Sequence, residues 1–180
     1  GVGLVENISV LNNFGSLNIG DSIYMIGKKG SHLSCSTLEE VYNSESSIDP
    51  PEIDLYQEKL NGNGVLELIQ EKIIASCHDI SDGGMIVTIC EMIMMDDRGA
   101  TINIVDNNKM IGELFGEDQS RYIITIAPEL ESVFEKKMKK RGVKYELIGC
   151  ITSSQLKIND SIIISNNEIR DAYESLIPSV

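Results

Sequence analysis

Hydrophobic residues along the chain follow two alternating spacings, which predict strands and helices in turn. Short apolar runs, several of them rich in β-branched residues, predict strands at residues 2–5, 22–26, 74–77, 100–105, 121–126, 145–151, 155–158 and 161–164. Runs with three- and four-residue spacing predict helices at residues 37–42, 53–60, 65–73, 83–95, 109–115, 129–140 and 168–176.

Polar and glycine residues predict where several of these helices begin and end. Ser36 or Thr37 is the predicted N-cap of the first helix, and Asp82 is the predicted N-cap of the central, most apolar helix. Gly142 is a predicted C-cap. The run Asn61-Gly62-Asn63-Gly64 predicts a break or a bend between two helical segments, because glycine lowers helix stability.

The order of these elements predicts the fold class. Strands that alternate with helices are typical of an α/β protein. A late hairpin around Asn159-Asp160 adds an antiparallel pair, so we expect a mixed β-sheet with helices packed on it, α/β but α+β-like. No internal repeat or linker divides the sequence, and residues 1–180 are therefore predicted to form one domain.

Composition and charge exclude several classes of protein. The formal net charge of -13 opposes binding to nucleic acid and to anionic membranes, and no apolar stretch is long enough to span a bilayer. Four cysteines form no CxxC pair, and no secretory signal is present. These features predict reduced thiols in the cytoplasm and no metal site. The chain begins at Gly1 and not at Met, so we expect either a fragment of a longer protein or a processed form.

One polar cluster precedes the central helix and offers two interpretations. It consists of His78, Asp79, Ser81, Asp82, Gly83 and Gly84. The free N–H groups of a helix start, next to two glycines, are suited to binding an anion. An ordinary helix start capped by Asp82 explains the same residues equally well. His78 is suited to contact a substrate or to orient the loop through backbone carbonyl groups.

Two further polar stretches are candidate binding loops. Residues 116–121 contain Glu117, Asp118, Gln119 and Arg121, and they predict either a recognition loop or a solvated turn with a weak Arg121–Glu117 surface pair. Residues 27–36 contain two lysines and a histidine but no GxxxxGK[ST] motif. They predict a surface connection, with a phosphate contact as the second interpretation.

In their order along the chain, these motifs resemble a known family. The sequence is similar to the C-terminal domain of the phosphoribosylformylglycinamidine synthase family, which implies an aminoimidazole ribonucleotide synthetase C-terminal domain-like fold. Sibling domains of this type occur in thiamine-phosphate kinase, selenophosphate synthetase and a hydrogenase maturation protein. The combination of "HDISDGG" followed by "EM" and "LFGEDQSR" carries most of the resemblance, which extends over residues 1–6, 21–24, 50–55, 78–84, 91–92, 114–121 and 148–149.

The resemblance implies the last domain of a longer chain, an ATP-dependent ligase of purine biosynthesis. This ligase would convert formylglycinamide ribonucleotide to formylglycinamidine ribonucleotide with ammonia from glutamine, and it would require magnesium. Its partners would be the N-terminal synthetase domains of the same chain, a glutaminase subunit and a small bridging subunit. In this family the nucleotide, the magnesium ions and the catalytic histidine belong mainly to the N-terminal-type domains, so the resemblance implies no catalytic residue, metal ligand or cofactor for this fragment alone. The alternatives are a structural interface domain without a ligand, or a sibling kinase or synthetase.

The resemblance also implies site residues, which are matched to this sequence position by position. Glu117, Asp118 and Gln119 match a Glu-Ser-Gln triplet that helps to bind substrate in the family. Asp118 replaces the serine, and we expect its carboxylate to disfavour an anionic ligand. Residues 33–36 depart from the Gly-Gly-Ser-Glu run of relatives, and the run at 61–64 interrupts a helix that relatives keep continuous. The candidate residues within 78–84 and 117–121 are expected to bind substrate or to line a cleft between domains.

Overall fold

A mixed sheet organises the part of the chain that the structure describes. This computed structural model describes residues 4, 16–42, 48–105, 107–159 and 161–175. Within them the strands are β1 (Ser22–Ile26), β2 (Ser76–Asp79), β3 (Gly99–Ile102), β4 (Tyr122–Ile126), β5 (Tyr145–Thr152), β6 (Leu156–Ile158) and β7 (Ile162–Ile164). The helices are α1 (Thr37–Tyr42), α2 (Leu55–Gln70), α3 (Gly84–Met95), α4 (Met110–Phe115), α5 (Glu131–Arg141) and α6 (Asn166–Glu174).

The strands lie in the order β2-β4-β1-β5-β3-β6-β7. The β3–β6 pair is parallel, and the other neighbouring pairs are antiparallel. The predicted mixed sheet is therefore confirmed. The late hairpin also forms, with Leu156 opposite Ile164, although Asp160 lies outside the described residues.

Helices cover both faces of the sheet, and each face has its own apolar core. Successive residues of β1 point to opposite faces. Ile23 and Met25 pack in the cluster that includes α3, whereas Tyr24 and Ile26 pack with residues of α2 and α5. On the second face the Tyr24 and Phe134 rings lie 4.7 Å apart. Strands buried on both faces explain why several of them are almost continuously apolar in sequence.

Several predicted boundaries agree with the structure. The predicted strand at 22–26 coincides with β1. Gly142 is the C-cap of α5 with φ 72°, a left-handed conformation that glycine adopts without steric cost. The hydroxyl of Ser36 accepts a hydrogen bond from the N–H of Glu39, as expected of the predicted cap of α1. The strand predicted at 2–5 and the last residue of the final predicted helix, Leu176, lie outside the described residues apart from Leu4.

Of the break or bend predicted at residues 61–64, the break is wrong. Helix α2 continues through all four residues. Asn61 is buried and bonded to Ser120, so its polar side chain stabilises the helix position instead of interrupting it. Gly64 lies against Met138 and Val143, where a Cβ atom would come within 3.2 Å of Val143. The glycine thus allows α2 to approach the α5 segment closely, and this packing offsets its low helix propensity.

Candidate functional site

Three loops meet at one edge of the sheet because of its antiparallel register. In the β2–β4 pair Asp79 lies opposite Tyr122, and in the β1–β4 pair Ile26 lies opposite the same residue. The ends of β1 and β2 therefore meet the start of β4. The N–H of Ile80 continues the pairing by donating to the carbonyl of Arg121 at 2.9 Å. This register brings together the loops at residues 27–36, 80–83 and 116–121.

The predicted Asp82 cap of α3 is wrong. The N-cap is Gly83, with φ 79°, and as a glycine it has no side chain that could bond to the helix. Asp82 itself is exposed. Gly84 also has a positive φ of 73°, and a Cβ atom there would lie 2.7 Å from the backbone of Phe115. The two glycines therefore allow the chain to turn into α3 while α3 packs closely against the end of α4.

A side chain from another loop binds the N-terminus of α3. Glu117 Oε1 accepts hydrogen bonds from the N–H of Gly83 and the N–H of Thr37, both at 2.8 Å. These N–H groups stand at the starts of α3 and α1, where helix dipoles favour negative charge. The anion-binding interpretation of the turn was thus right about the electrostatics, but the anion is the protein's own carboxylate.

Asp118 makes a similar contact with the loop after β1. Its Oδ2 accepts hydrogen bonds from the N–H groups of Ser31 at 2.7 Å and His32 at 2.9 Å. Burial alone would raise the pKa of Asp118, but these two N–H groups and the nearby charge of Arg121 outweigh it and lower the pKa below its ordinary value. Asp118 is therefore a firmly ionised tether of residues 27–36.

The predicted surface pair between Arg121 and Glu117 is wrong. Arg121 is 2% exposed. Its Nε donates to the carbonyl of Asp118 at 2.9 Å, and its Nη2 donates to the carbonyl of Gly116. The guanidinium group thus folds back on its own loop, and burial lowers its pKa despite the two nearby carboxylates. Gly30 makes room for it, because a Cβ atom there would lie 2.5 Å from Nη1.

His78 faces its own strand and α3. Its Nδ1 lies 2.8 Å from the carbonyl oxygen of Asp79, and its Nε2 lies 3.6 Å from a carboxylate oxygen of Glu91. The contact with Asp79 agrees with the predicted role of orienting the loop through a backbone carbonyl.

The lysines of residues 27–36 have different environments. Lys29 Nζ lies 3.1 Å from Glu113 and 2.9 Å from Glu146, which ties the loop to α4 and β5. Burial lowers the pKa of Lys29, but its hydrogen bonds to Glu146 and Glu113 more than offset this, and the pKa is raised. Lys28 is exposed and lines a cleft. Any phosphate contact from this loop would therefore involve Lys28 before Lys29.

Two adjoining clefts open beside these loops and share Gln119 and Ser120. The smaller has a volume of about 240 Å³, and among the predicted site residues it is lined by Asp79, Ser81, Asp82, Glu117, Gln119 and Arg121. The larger, of about 390 Å³, is lined by Asp118 and Gln119 together with Lys28 and His32. His78, Gly83 and Gly84 line neither cleft.

The side chain of Gln119 differs from those of its two neighbours. Glu117 and Asp118 bond to backbone N–H groups, whereas Gln119 is exposed at the boundary between the clefts. An amide can donate and accept hydrogen bonds at once. Of the matched triplet, Gln119 is therefore the residue best placed to contact a ligand.

The described part of the chain contains neither a metal-binding cluster nor a membrane-spanning helix. No group of three or more His, Cys, Asp and Glu side chains there is arranged to hold a metal ion. Nor is any helix in these ranges long and apolar enough to cross a membrane.

A protein-family model decides the classification. The model described as "AIR synthase related protein, C-terminal domain" matches residues 18–160. The chain belongs to this family. The resemblance found in the sequence, and the fold that it implied, are both confirmed.

Relatives of this AIR synthase-related domain are longer proteins. Phosphoribosylformylglycinamidine synthase subunit PurL of Brucella ovis is 32% identical over 179 residues, which cover 99% of this chain and 24% of the relative. The PurL of Brucella canis matches to the same extent. The chain thus spans about a quarter of the curated relatives that it matches.

Solved structures share the AIR synthase-related fold. Thermotoga maritima PurL complexed with FGAR has a TM-score of 0.72 and 13% identity, covering 90% of this chain and 30% of that one. The same PurL complexed with ATP has a TM-score of 0.70 and 13% identity, covering 90% and 27%. A chain of the HypE-HypF complex has a TM-score of 0.59 and 16% identity, covering 84% and 53%. At these identities the matches establish the common fold.

The structure adds residues to the site that the sequence did not single out. Glu58 and Tyr122 line the smaller cleft, and Gln57 and Asn61 line the larger one. Gln57, Glu58 and Asn61 lie on α2, far from the motif residues in sequence. Asn61 in an otherwise helical pattern is a local signal that could have found them, because asparagine is unfavourable in a helix interior unless its side chain is bonded.

Proposed function

We propose that this chain is the C-terminal part of the synthetase subunit that converts formylglycinamide ribonucleotide to formylglycinamidine ribonucleotide in purine biosynthesis. The observation that carries the proposal is the 32% identity to PurL over 99% of this chain. In the proposed reaction ATP phosphorylates the amide oxygen, and ammonia derived from glutamine displaces the phosphate. The fragment alone is expected to be inactive.

The proposal divides the work between this domain and the rest of the longer chain. ATP and magnesium are assigned to the N-terminal synthetase domains, and a glutaminase subunit and a small bridging subunit supply the ammonia. We propose that the domains and subunits of this enzyme are located in the cytoplasm. This domain closes over the substrate that its neighbour binds, with the two clefts and the loops at 78–84 and 117–121 facing the neighbour.

Gln119 is the proposed substrate contact of this domain. Its exposed amide stands where both clefts meet, which supports a role in recognising polar groups of the substrate. Glu117 and Asp118 support the same role indirectly, since their bonds to backbone N–H groups fix the loop that carries Gln119. As a neutral amide, Gln119 adds no further negative charge to the acidic loop and therefore does not itself repel a phosphorylated substrate.

The test uses the longer chain with its partner subunits, assayed for ATP-dependent conversion of formylglycinamide ribonucleotide with glutamine or ammonia. Gln119→Ala is expected to raise KM about tenfold, as expected for loss of about 1.4 kcal/mol of substrate binding. The matched control is Gln70→Ala, an exposed glutamine at the end of α2. A longer protein with no activity on this substrate would refute the proposal, and so would one that acts on thiamine phosphate instead.

A second candidate function is a structural domain without a ligand of its own. It is favoured because Glu117 already accepts hydrogen bonds from the N–H groups of Thr37 and Gly83 at the starts of α1 and α3. These N–H groups are therefore bonded within the protein and not to a ligand. Under this hypothesis Gln119→Ala leaves turnover and KM unchanged in the longer enzyme. Mixing the domain with the separate N-terminal part tests the first hypothesis as well, because an absence of both binding and restored activity would show that the domain does not complete the active site.

A further inference from the structure

Asn61 links the middle of α2 to the loop that carries Gln119. The side chain is fully buried. Its Nδ2 donates to the carbonyl oxygen of Ser120 at 2.8 Å and lies 3.2 Å from the Ser120 hydroxyl. Its Oδ1 accepts a hydrogen bond of 2.7 Å from Nε2 of Gln57, one helical turn earlier. The Asn61 amide is therefore fixed at both ends, and its orientation is defined by two partners.

Ser120 has an unfavourable backbone conformation at this contact. Its φ is 66°, in the left-handed region that residues other than glycine rarely occupy. Such a conformation persists only where surrounding contacts offset its cost. The hydrogen bonds from Asn61 act directly on the carbonyl and the side chain of this residue.

We propose that Asn61 is a positioning residue that holds Ser120 in its left-handed conformation and so presents the Gln119 amide where the two clefts meet. This inference rests on the proposed function. Gln119 is the residue immediately before Ser120, so a change in φ at Ser120 alters the direction of the loop and of the Gln119 side chain. Asn61 acts through Ser120 and need not contact the substrate.

The first test measures the loop conformation in the 180-residue chain and requires no activity. Backbone chemical shifts of Ser120 report whether its φ is positive. Asn61→Ala is expected to move them away from left-handed values. Asn63→Ala, which removes an exposed asparagine from the same helix, should leave them unchanged. If Asn61→Ala does not fold, Asn61→Asp replaces it, since it keeps the acceptor for Gln57 and loses the donor to Ser120.

The second test separates positioning from general stability in the longer enzyme. Asn61→Ala is expected to raise KM for formylglycinamide ribonucleotide about as much as Gln119→Ala, roughly tenfold, with a smaller effect on kcat. Adding Ser120→Gly to Asn61→Ala should recover part of this loss, because glycine adopts a positive φ without the steric cost. Rescue of this kind is not expected if Asn61 only stabilises α2.

Three outcomes overturn the inference. Ser120 shifts that do not change in either Asn61 variant would show that other contacts hold its conformation. Changed shifts together with an unchanged KM would show that the contact is structural only. If KM is raised equally in Asn61→Ala and in the double variant with Ser120→Gly, Asn61 does not act through φ of Ser120. If the unmodified enzyme lacks the activity, the proposed function fails, and the shifts alone then decide whether Asn61 holds Ser120.

Discussion

Replacing Glu117 with alanine should destabilise the protein more than replacing Asp82, the residue that the sequence favours as a cap. Glu117 Oε1 is bonded to the N–H groups of both Gly83 and Thr37. Gly83 is buried, so without Glu117 its N–H loses its partner in a place that water reaches poorly. Thr37 is exposed, and water can replace the carboxylate there. The two contacts therefore differ in energy although their lengths are equal.

The magnitude follows from these two environments. A hydrogen bond from a buried N–H to a charged group contributes about 2 kcal/mol, and the exposed contact with a helix N-terminus contributes about 0.5–1 kcal/mol. Glu117→Ala should therefore lower the free energy of unfolding by about 3 kcal/mol, equivalent to a decrease in Tm of about 9 °C for a chain of this size. Glu117→Gln keeps an acceptor but loses the charge, and should cost about 1 kcal/mol.

Urea unfolding followed by circular dichroism measures these differences, with Asp82→Ala as the matched control. Asp82 is exposed and does not cap α3, so its replacement should change the free energy of unfolding by less than about 0.5 kcal/mol. The reverse order, with Asp82→Ala costing about 1 kcal/mol and Glu117→Ala nearly neutral, would refute the assignment of Glu117 as the group that satisfies α3.

Three other changes test separate parts of the structure. Asp118→Asn should be destabilising at neutral pH and progressively less so below about pH 4. The reason is that a carboxyl group with a lowered pKa contributes stability that is lost as pH falls through that pKa. Acid titrations of both proteins measure this effect, and a penalty that persists at pH 2 would contradict it. Gly84→Ala should cost about 2 kcal/mol or more in urea unfolding, because it adds a Cβ at positive φ against Phe115, and a neutral result would rule out that packing. Burial raises the pKa of the Cys77 and Cys90 thiols to about 12, so iodoacetamide at pH 8 should modify the exposed Cys35 well before them; equal rates by mass spectrometry would contradict their burial.

The parts of the fold that were predictable from sequence depend on local periodicity. β1 was predicted at its observed bounds because it is a short run rich in β-branched and aromatic residues that is followed by glycine. The end of α5 was predictable because Gly142 is suited to a left-handed C-cap by its own chemistry. In both cases the residues that decide the structure lie within the element or next to it. No distant partner is needed to explain them.

Two of the errors occur where a distant partner decides the local structure. α2 continues through the asparagine-glycine run because Asn61 is bonded to Ser120, 59 positions away in sequence. The start of α3 receives its carboxylate from Glu117, 34 positions away, and not from the adjacent Asp82. Local rules assign a cap or a break to the nearest suitable residue, whereas the fold assigns it to the nearest residue in space.

The same reasoning alters the expected effect of Asp118 on ligand binding. From the sequence, a second acidic residue in place of serine was expected to repel an anionic ligand. In the structure its carboxylate accepts two backbone N–H groups and lies near the Arg121 guanidinium, so much of its charge is balanced locally. Lys28, exposed in the same larger cleft, adds a positive charge there. We therefore expect that removing the Lys28 side chain weakens binding of an anionic ligand, and that this effect is larger than the repulsion from Asp118. An aspartate in place of serine at position 118 is thus compatible with a substrate-facing role for Gln119.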